Sequence, residues 1–149
     1  MRASSLAKYR QHAAGYDDTC GPTWPIRERA VAALQLKPGQ VVLDVGCGTG
    51  LSLSLLRSAV GDSGKIYGFD QSPEMLALAR QRAHAAGWKN VELFETSAQE
   101  LNLPEPVDAL LFHYTHDILR SPLALDQLLG SAKTGASVAI AGVKYFPRW

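Results

Sequence analysis

The residues of this chain best equipped for chemistry are two carboxylates and a set of closely spaced glycines. Val41-Val42-Leu43 leads to Asp44 and Val45, and Gly46-Cys47-Gly48-Thr49-Gly50 follows at once. Asp70 stands twenty residues past Gly50, after a second apolar run, Ile66-Tyr67-Gly68-Phe69. Glycine lacks a Cβ and tolerates positive φ, so it is needed where a ligand presses against backbone. A helix opening at Leu51 offers unpaired N–H groups and a partial positive charge to an anionic group. The spacing is G-x-G-x-G, with Leu51 where the dinucleotide fingerprint puts its third glycine. A carboxylate at Asp44 repels a pyrophosphate and welcomes a cation. The loop therefore suits a zwitterion, its carboxylate toward the helix N-terminus and its ammonium toward Asp44. Asp70 is placed either to accept both hydroxyls of a ribose or to cap a helix in competition with Ser72.

A second group follows a later apolar run, at Phe112-His113-Tyr114-Thr115-His116-Asp117. Histidine titrates near neutrality, so His113 or His116 can take a proton from a hydroxyl, carbon acid or ammonium. The plainer alternative is a packed or surface histidine. The four histidines and two cysteines show no paired metal-ligand spacing.

The elements that must position these groups alternate between strand and helix, the pattern of an α/β, doubly wound and mostly parallel sheet. Residues 1–25 form an amphipathic and then turn-rich leader. Arg27 to Leu36 reads as a helix closed by Lys37-Pro38-Gly39, and residues 41–45 as the first strand. The helix after Gly50 ends near Gly61, and Lys65 to Phe69 is the second strand. Ser72 caps a helix with Pro73 at its first position and Met75, Leu76, Ala79 and Ala83 on one face, stopped at Gly87. Val91–Phe94 and Val107–Phe112 read as strands three and four. Ser121-Pro122 opens a helix with Leu125, Leu128 and Leu129 inward, closed by Lys133-Thr134-Gly135, and Ala136–Val143 is strand five, apolar and covered on both faces.

Composition fits one compact domain. The chain has 149 residues, 46% hydrophobic, and its fifteen Lys and Arg face fourteen Asp and Glu. That length supports a real core. The scattered, balanced charge gives no footprint for a nucleic-acid partner. The first residues lack the apolar stretch of a secretory signal, and no run approaches the length of a membrane span. A disulfide at Cys47 would obstruct the glycine loop, so reduced thiols at Cys20 and Cys47 and a cytoplasmic setting are expected.

The run VLDVGCGTG resembles motif I of the class I S-adenosylmethionine-dependent methyltransferases, and IYGFDQSPEML resembles their motif II. The resemblance covers residues 41–143 and implies a Rossmann-like sheet of order 3-2-1-4-5. It implies that Asp44, Gly46, Cys47, Gly48 and Gly50 hold the methionine part of S-adenosylmethionine, or of its product S-adenosylhomocysteine. It further implies that Asp70 holds the ribose and that Gln71 and Met75 line the adenine side, Met75 having helix core as its alternative. Where the family carries an acid followed by alanine, this chain has Ser97-Ala98. A serine hydroxyl can still accept from the adenine amino group, more weakly than a charged acid, or Ser97 caps a short helix. His113 lies on the floor between the methyl and its acceptor, with His113 and His116 as candidate bases. The [DN]-P-P-[YFW] motif of amino-group methyltransferases is missing, which lowers the case for DNA or glutamine as acceptor. Tyr16, in a leader that such enzymes fold over the site as a lid, is placed to reach the cofactor carboxylate or to pack the leader onto the sheet.

These implications make the chain a methyltransferase acting on a small molecule by in-line displacement. The family's closing hairpin is apparently absent after strand five. That leaves open a non-catalytic module that binds the cofactor, while a nicotinamide-dependent oxidoreductase is disfavoured by the glycine spacing and Asp44. The open edge of strand five and the aromatic tail Tyr145-Phe146-Pro147-Arg148-Trp149 predict self-association as a two-fold homodimer.

Overall fold

The computed structural model describes residues 21–142, the side chains of Pro22 and His116 excepted. Tyr16, Cys20, the rest of the leader before Gly21 and the aromatic tail lie outside the described residues. A 3-10 turn at Gly21–Thr23 leads into α1 (Trp24–Ala33), and the chain then alternates. The strands are β1 (Val41–Val45), β2 (Lys65–Asp70), β3 (Val91–Glu95), β4 (Val107–His113) and β5 (Ala132–Ala141). The remaining helices are α2 (Leu53–Val60), α3 (Pro73–Ala85), the single turn α4 (His116–Leu119) and α5 (Pro122–Gly130). All strand pairs are parallel, in the order β3-β2-β1-β4-β5. This is the α/β, Rossmann-like doubly wound arrangement, with helices on both faces.

Local chemistry accounts for most boundaries. Ser72 caps α3, its hydroxyl accepting from the Met75 N–H at 3.3 Å, and Ser121 does the same for Ala124 N–H at the start of α5, at 3.2 Å. Pro73 and Pro122 occupy first-turn positions where a missing N–H costs nothing. Gly87 follows α3 with φ +73°, the left-handed geometry that ends a helix.

Four expectations need correction. The first helix runs over Trp24–Ala33 rather than Arg27–Leu36, because Pro25 pre-sets its first turn and Gln35, at φ +50°, ends it. In α5 Ala124 and Leu128 are buried and Leu125 packs against the same layer as expected, while Leu129, expected inward, is half exposed. β5 begins at Ala132, and Lys133-Thr134-Gly135 belong to it rather than closing the helix. The cause is an irregularity: Val107 pairs with Ala132, and Ala109 next pairs with Ser137, the intervening residues looping out around Gly135 at φ +82°. Nor is β5 covered on both faces. Ala139 alone is buried, with Val138 and Ile140 exposed on the opposite face.

The core forms two layers. On one side Val42, Ile66, Ala109, Leu111 and Ala139 of the sheet meet Ala30, Val31 and Leu34 of α1, Leu53, Leu56 and Val60 of α2 and Ala79 of α3. On the other, Leu43, Val45, Tyr67, Phe69, Leu110 and Phe112 meet Ala98, Leu101, Ala124 and Leu128. β1 is buried on both faces, as a central parallel strand must be. The carboxyl ends of β1, β2 and β4 therefore open to one rim, between the two helical layers, and that rim carries the site.

Candidate functional site

The strand β1 delivers Asp44 one residue before its end, and the chain turns at once through Gly46, Gly48 and Gly50, each with positive φ (+62°, +57° and +83°). The turn is tied down from three sides. Cys47 N–H donates to Phe69 C=O at 2.9 Å, Gly50 N–H to Cys47 C=O at 3.0 Å, and Arg82 Nε from α3 to Thr49 C=O at 3.2 Å. Gly48 N–H donates to Asp70 Oδ2 at 3.0 Å, so the loop after β1 and the acid after β2 form one unit. The other Asp70 oxygen accepts from Ser72 N–H at 3.0 Å. Ser72, not Asp70, is the cap of α3. A carboxylate has about four acceptor sites, so Asp70 keeps capacity for two hydroxyls.

Two adjoining lobes open at this rim and share Gly46, Asp70 and Tyr114. One is lined by Phe69, Gln71, Ala98, Thr115, Asp117 and Ile118. The other is lined by Arg27, Asp44, Cys47, Gly48, Thr49, Leu51, Met75 and His113. Asp44, Gly46, Cys47, Gly48, Asp70, Gln71, Met75, Ala98 and His113 thus come together, as the sequence grouped them. Gly50 lies beneath the loop, against Leu53 and Ala79. Two members stand differently. Met75 faces the lobe of Gly48 rather than the one with Gln71 and Ala98, and its sulfur would be 3.6 Å from a Cβ at Gly48. Ser97 lines neither lobe, and its hydroxyl accepts from Glu100 N–H at 3.3 Å.

Burial sets the electrostatics. Asp44 is 3% exposed, and its Oδ2 has no hydrogen-bond partner among the described residues. Burial pushes its pKa up to about 7, opposed by the Arg27 guanidinium and reinforced by Asp70. Burial also raises Asp70, against the N–H donors of Ser72, Gly48 and Gln71. The Cys47 thiol is raised by burial and the nearby carboxylates, which keeps it protonated. His113, the last residue of β4, is lowered to about 4 by burial and by Arg27, and its buried Nε2 has no partner among the described residues. Tyr114 follows in the left-handed region at φ +55°, its ring edge-on to His113 with centroids 4.3 Å apart. Such strain concentrates at functional sites. His116 lies in the backbone of α4, and its side chain is outside the described residues.

Sequence reasoning missed Arg27, Thr115 and Ile118. For Arg27 a signal existed: it shares the helical spacing of Ala30, Val31 and Leu34, an arginine at a core position. Thr115 and Ile118 reach the site only because the one-turn α4 folds them over Gly46, where a Cβ would lie 3.0 and 3.6 Å from their methyl groups. No local pattern announces that turn.

The donor set fits a nucleoside carrying an amino acid. Asp44, with a buried oxygen unpartnered among the described residues, could take an ammonium, the glycine turn admits a close ligand, and a second carboxylate, Asp70, stands at the junction of the lobes. No group of three or more potential metal ligands forms among the described residues. Residues 36–144, most of the chain, match the methyltransferase domain family, and the chain belongs to it, with the fold of the class I, S-adenosylmethionine-dependent enzymes. A SAM-dependent methyltransferase from Aquifex aeolicus superposes with TM-score 0.70 at 31% identity, covering 83% of this chain and 67% of that one. The DhpI–SAH complex shares the fold at TM-score 0.68 and 22% identity, over 89% of this chain and 64% of that one. Among curated proteins, the demethylmenaquinone methyltransferase of Bacillus mycoides is 43% identical over 75 residues, half of this chain and 32% of its own length. The matched segment thus spans about a third of such relatives.

Proposed function

We propose that this chain, as a single domain, binds S-adenosylmethionine and directs its methyl group to a small-molecule acceptor. The observation that carries the reading is Asp44, which lines the same lobe as the glycine turn and Asp70 and whose buried Oδ2 has no partner among the described residues. Asp44 takes the ammonium, the turn from Gly46 to Gly50 gives the close backbone approach, and Asp70 takes the ribose hydroxyls. The lobe of Gln71, Ala98, Thr115 and Ile118 suits the adenine. Ser97, with its hydroxyl engaged by Glu100, is the weaker candidate for the adenine contact.

The bound cofactor supplies a methyl group already made electrophilic by its sulfonium. The protein's task is then to align an acceptor at near-attack distance, an effect worth roughly 7–11 kcal/mol in good intramolecular systems. Neutral His113, whose buried Nε2 has no partner among the described residues, can accept a hydrogen bond from a protic acceptor and orient it. With a pKa of about 4 it is a weak base, so it suits acceptors that lose their proton after or during transfer. The names of the curated relatives support a small acceptor. The exposed Val138 and Ile140 on the edge strand β5 support self-association as a two-fold dimer. No helix among the described residues is long and apolar enough to cross a membrane.

Titration calorimetry with S-adenosylhomocysteine and with NAD tests the reading. The first binds and NAD does not, and Asp70→Ala weakens binding by about 10- to 100-fold, since hydrogen bonds to a charged group are worth roughly 1.5–3 kcal/mol. Tight NAD binding without S-adenosylhomocysteine binding would overturn it. Methyl-transfer assays on small protic acceptors then separate an enzyme from a module that only holds the cofactor.

A further inference from the structure

β4 passes the chain to α4 through a single residue. Tyr114 N–H extends the ladder to the edge strand, donating to Ala141 C=O at 2.9 Å, and the first bond of α4 already falls at Thr115, whose C=O accepts from Leu119 N–H at 3.1 Å. The reversal between them rests on Tyr114, at φ +55°. That left-handed conformation is cheap for glycine or asparagine and costly for a bulky aromatic residue, which keeps it only where its surroundings impose it. Gln35, the other described non-glycine residue at positive φ, is exposed and closes α1, whereas Tyr114 lines both lobes of the site.

What the turn achieves is a ring contact. Successive residues of an extended strand point to opposite faces, so along a continued β4 the rings of His113 and Tyr114 would part. The left-handed step instead brings them together edge-on, with centroids 4.3 Å apart and planes at 82°, an arrangement that aromatic rings favour. His113 is 7% exposed, and its Nε2 has no hydrogen-bond partner among the described residues. The tyrosine ring therefore supplies the contact that fixes an imidazole whose Nε2 no such bond holds. Charged groups approach the pair from four elements: Arg27 of α1 and Asp44 of β1 in one lobe, Asp117 of α4 in the other, and Asp70 of β2 in both.

We propose that Tyr114 is a positioning residue: its left-handed backbone folds the phenol ring against His113 and holds the imidazole in the orientation that presents Nε2 to the methyl acceptor. The inference rests on the proposed function above and adds to it a residue that acts through His113. Backbone strain is the cost of this arrangement, and a glycine or asparagine at the same turn would remove both the strain and the contact.

The test reads the imidazole directly, by NMR titration of the histidines, with the His113 signal assigned by its loss in His113→Gln. In the parent, His113 should titrate at about 4, and its side-chain coupling constants should report a single rotamer. In Tyr114→Gly its pKa should rise by more than about one unit toward 6.5, because burial, the larger cause of the depression, is relieved while the Arg27 charge stays. The couplings should then average over rotamers. Tyr114→Phe should restore both values, and Tyr114→Asn, which also suits the left-handed region, carries the test if the glycine variant does not fold. Melting temperature separates positioning from packing: Tyr114→Gly should stay within about 4 °C of the parent, since strain is released as the contact is lost. A steep loss of stability would make Tyr114 a packing residue and overturn the proposal. So would a His113 that titrates and couples as in the parent once the ring is gone. In calorimetry, Tyr114→Gly should keep S-adenosylhomocysteine within about threefold, and a loss beyond about tenfold would set the ring against the cofactor instead. If the unaltered chain binds no S-adenosylhomocysteine, the cofactor reading falls and takes the acceptor role of the pair with it, a result distinct from an unchanged titration.

Discussion

At the scale of residues, the site is governed by two groups shifted in opposite directions. Asp44 holds its proton more tightly in the folded chain than in the unfolded one, with a pKa of about 7 against an ordinary 3.8. The stability it contributes is therefore complete below about pH 4 and is lost as the pH rises through about 7. An ammonium at its free oxygen favours the ionised form, so ligand affinity should run the other way. The dissociation constant of S-adenosylhomocysteine should fall with rising pH, by up to about tenfold per unit, and level off above about pH 7. Asp44→Asn should abolish that slope along with most of the affinity; a slope that survives it would assign the titration to another group. His113 is depressed to about 4 from 6.5, so it opposes unfolding fully above about pH 6.5 and loses that contribution as the pH falls toward 4. A histidine base with its ordinary pKa slows turnover below about pH 6–7; burial beside Arg27 moves that limb for His113 to about pH 4. His113→Gln should lower turnover with cofactor affinity largely kept, and unchanged turnover would assign His113 to packing. The sequence named both residues but could not show their pKa values, because burial and the approach of Arg27 from α1 are tertiary facts.

At the scale of elements, the turn between β1 and α2 shows why the sequence was readable here and not elsewhere. The positive φ at Gly46, Gly48 and Gly50 is a local demand written in residue type. Gly50 makes it testable. A Cβ there would lie 2.7 Å from Leu53 Cδ1 and 3.1 and 3.2 Å from the Cβ and Cα of Ala79, and the backbone at φ +83° resists a side chain in any case. Gly50→Ala should destabilise the fold by about 1–3 kcal/mol in urea denaturation and weaken cofactor binding through the displaced turn. Stability within a few tenths of the parent's would mean the turn relaxes freely. The caps at Ser72 and Ser121 were legible for the same reason, being short-range signals confirmed within three residues. The limits of the first helix, the exposure of Leu129 on α5 and the start of β5 were not. Their limits are set by what they pack against and by the irregular pairing of β4 with β5, and Leu129 and Leu128 look alike until the sheet decides which is covered.

At the scale of the whole molecule, alternating strands and helices pointed to a mostly parallel sheet, and the resemblance to the methyltransferases supplied the order 3-2-1-4-5 that the structure has. The edge strand is where the apolar pattern misled. Apolar residues along β5 implied cover on both faces, yet Val138 is 45% and Ile140 61% exposed, with Leu129 of neighbouring α5 half exposed. Burying one such aliphatic side chain is worth roughly 1.5–3 kcal/mol, so this face, on a strand that has no further neighbour among the described residues, supports the proposed contact with a second copy. The expected outcome is a dimer by light scattering after size-exclusion chromatography at high micromolar concentration. Because the face lies across the sheet from α1 and neither residue lines a lobe, Val138→Glu combined with Ile140→Lys should shift the chain to monomer while cofactor affinity stays within about twofold. A parent chain that is monomeric under those conditions would remove self-association from the account. A double variant that loses cofactor binding while folded would instead mean that the edge of the sheet helps to hold the rim of β4, where Tyr114 N–H donates to Ala141 C=O at 2.9 Å.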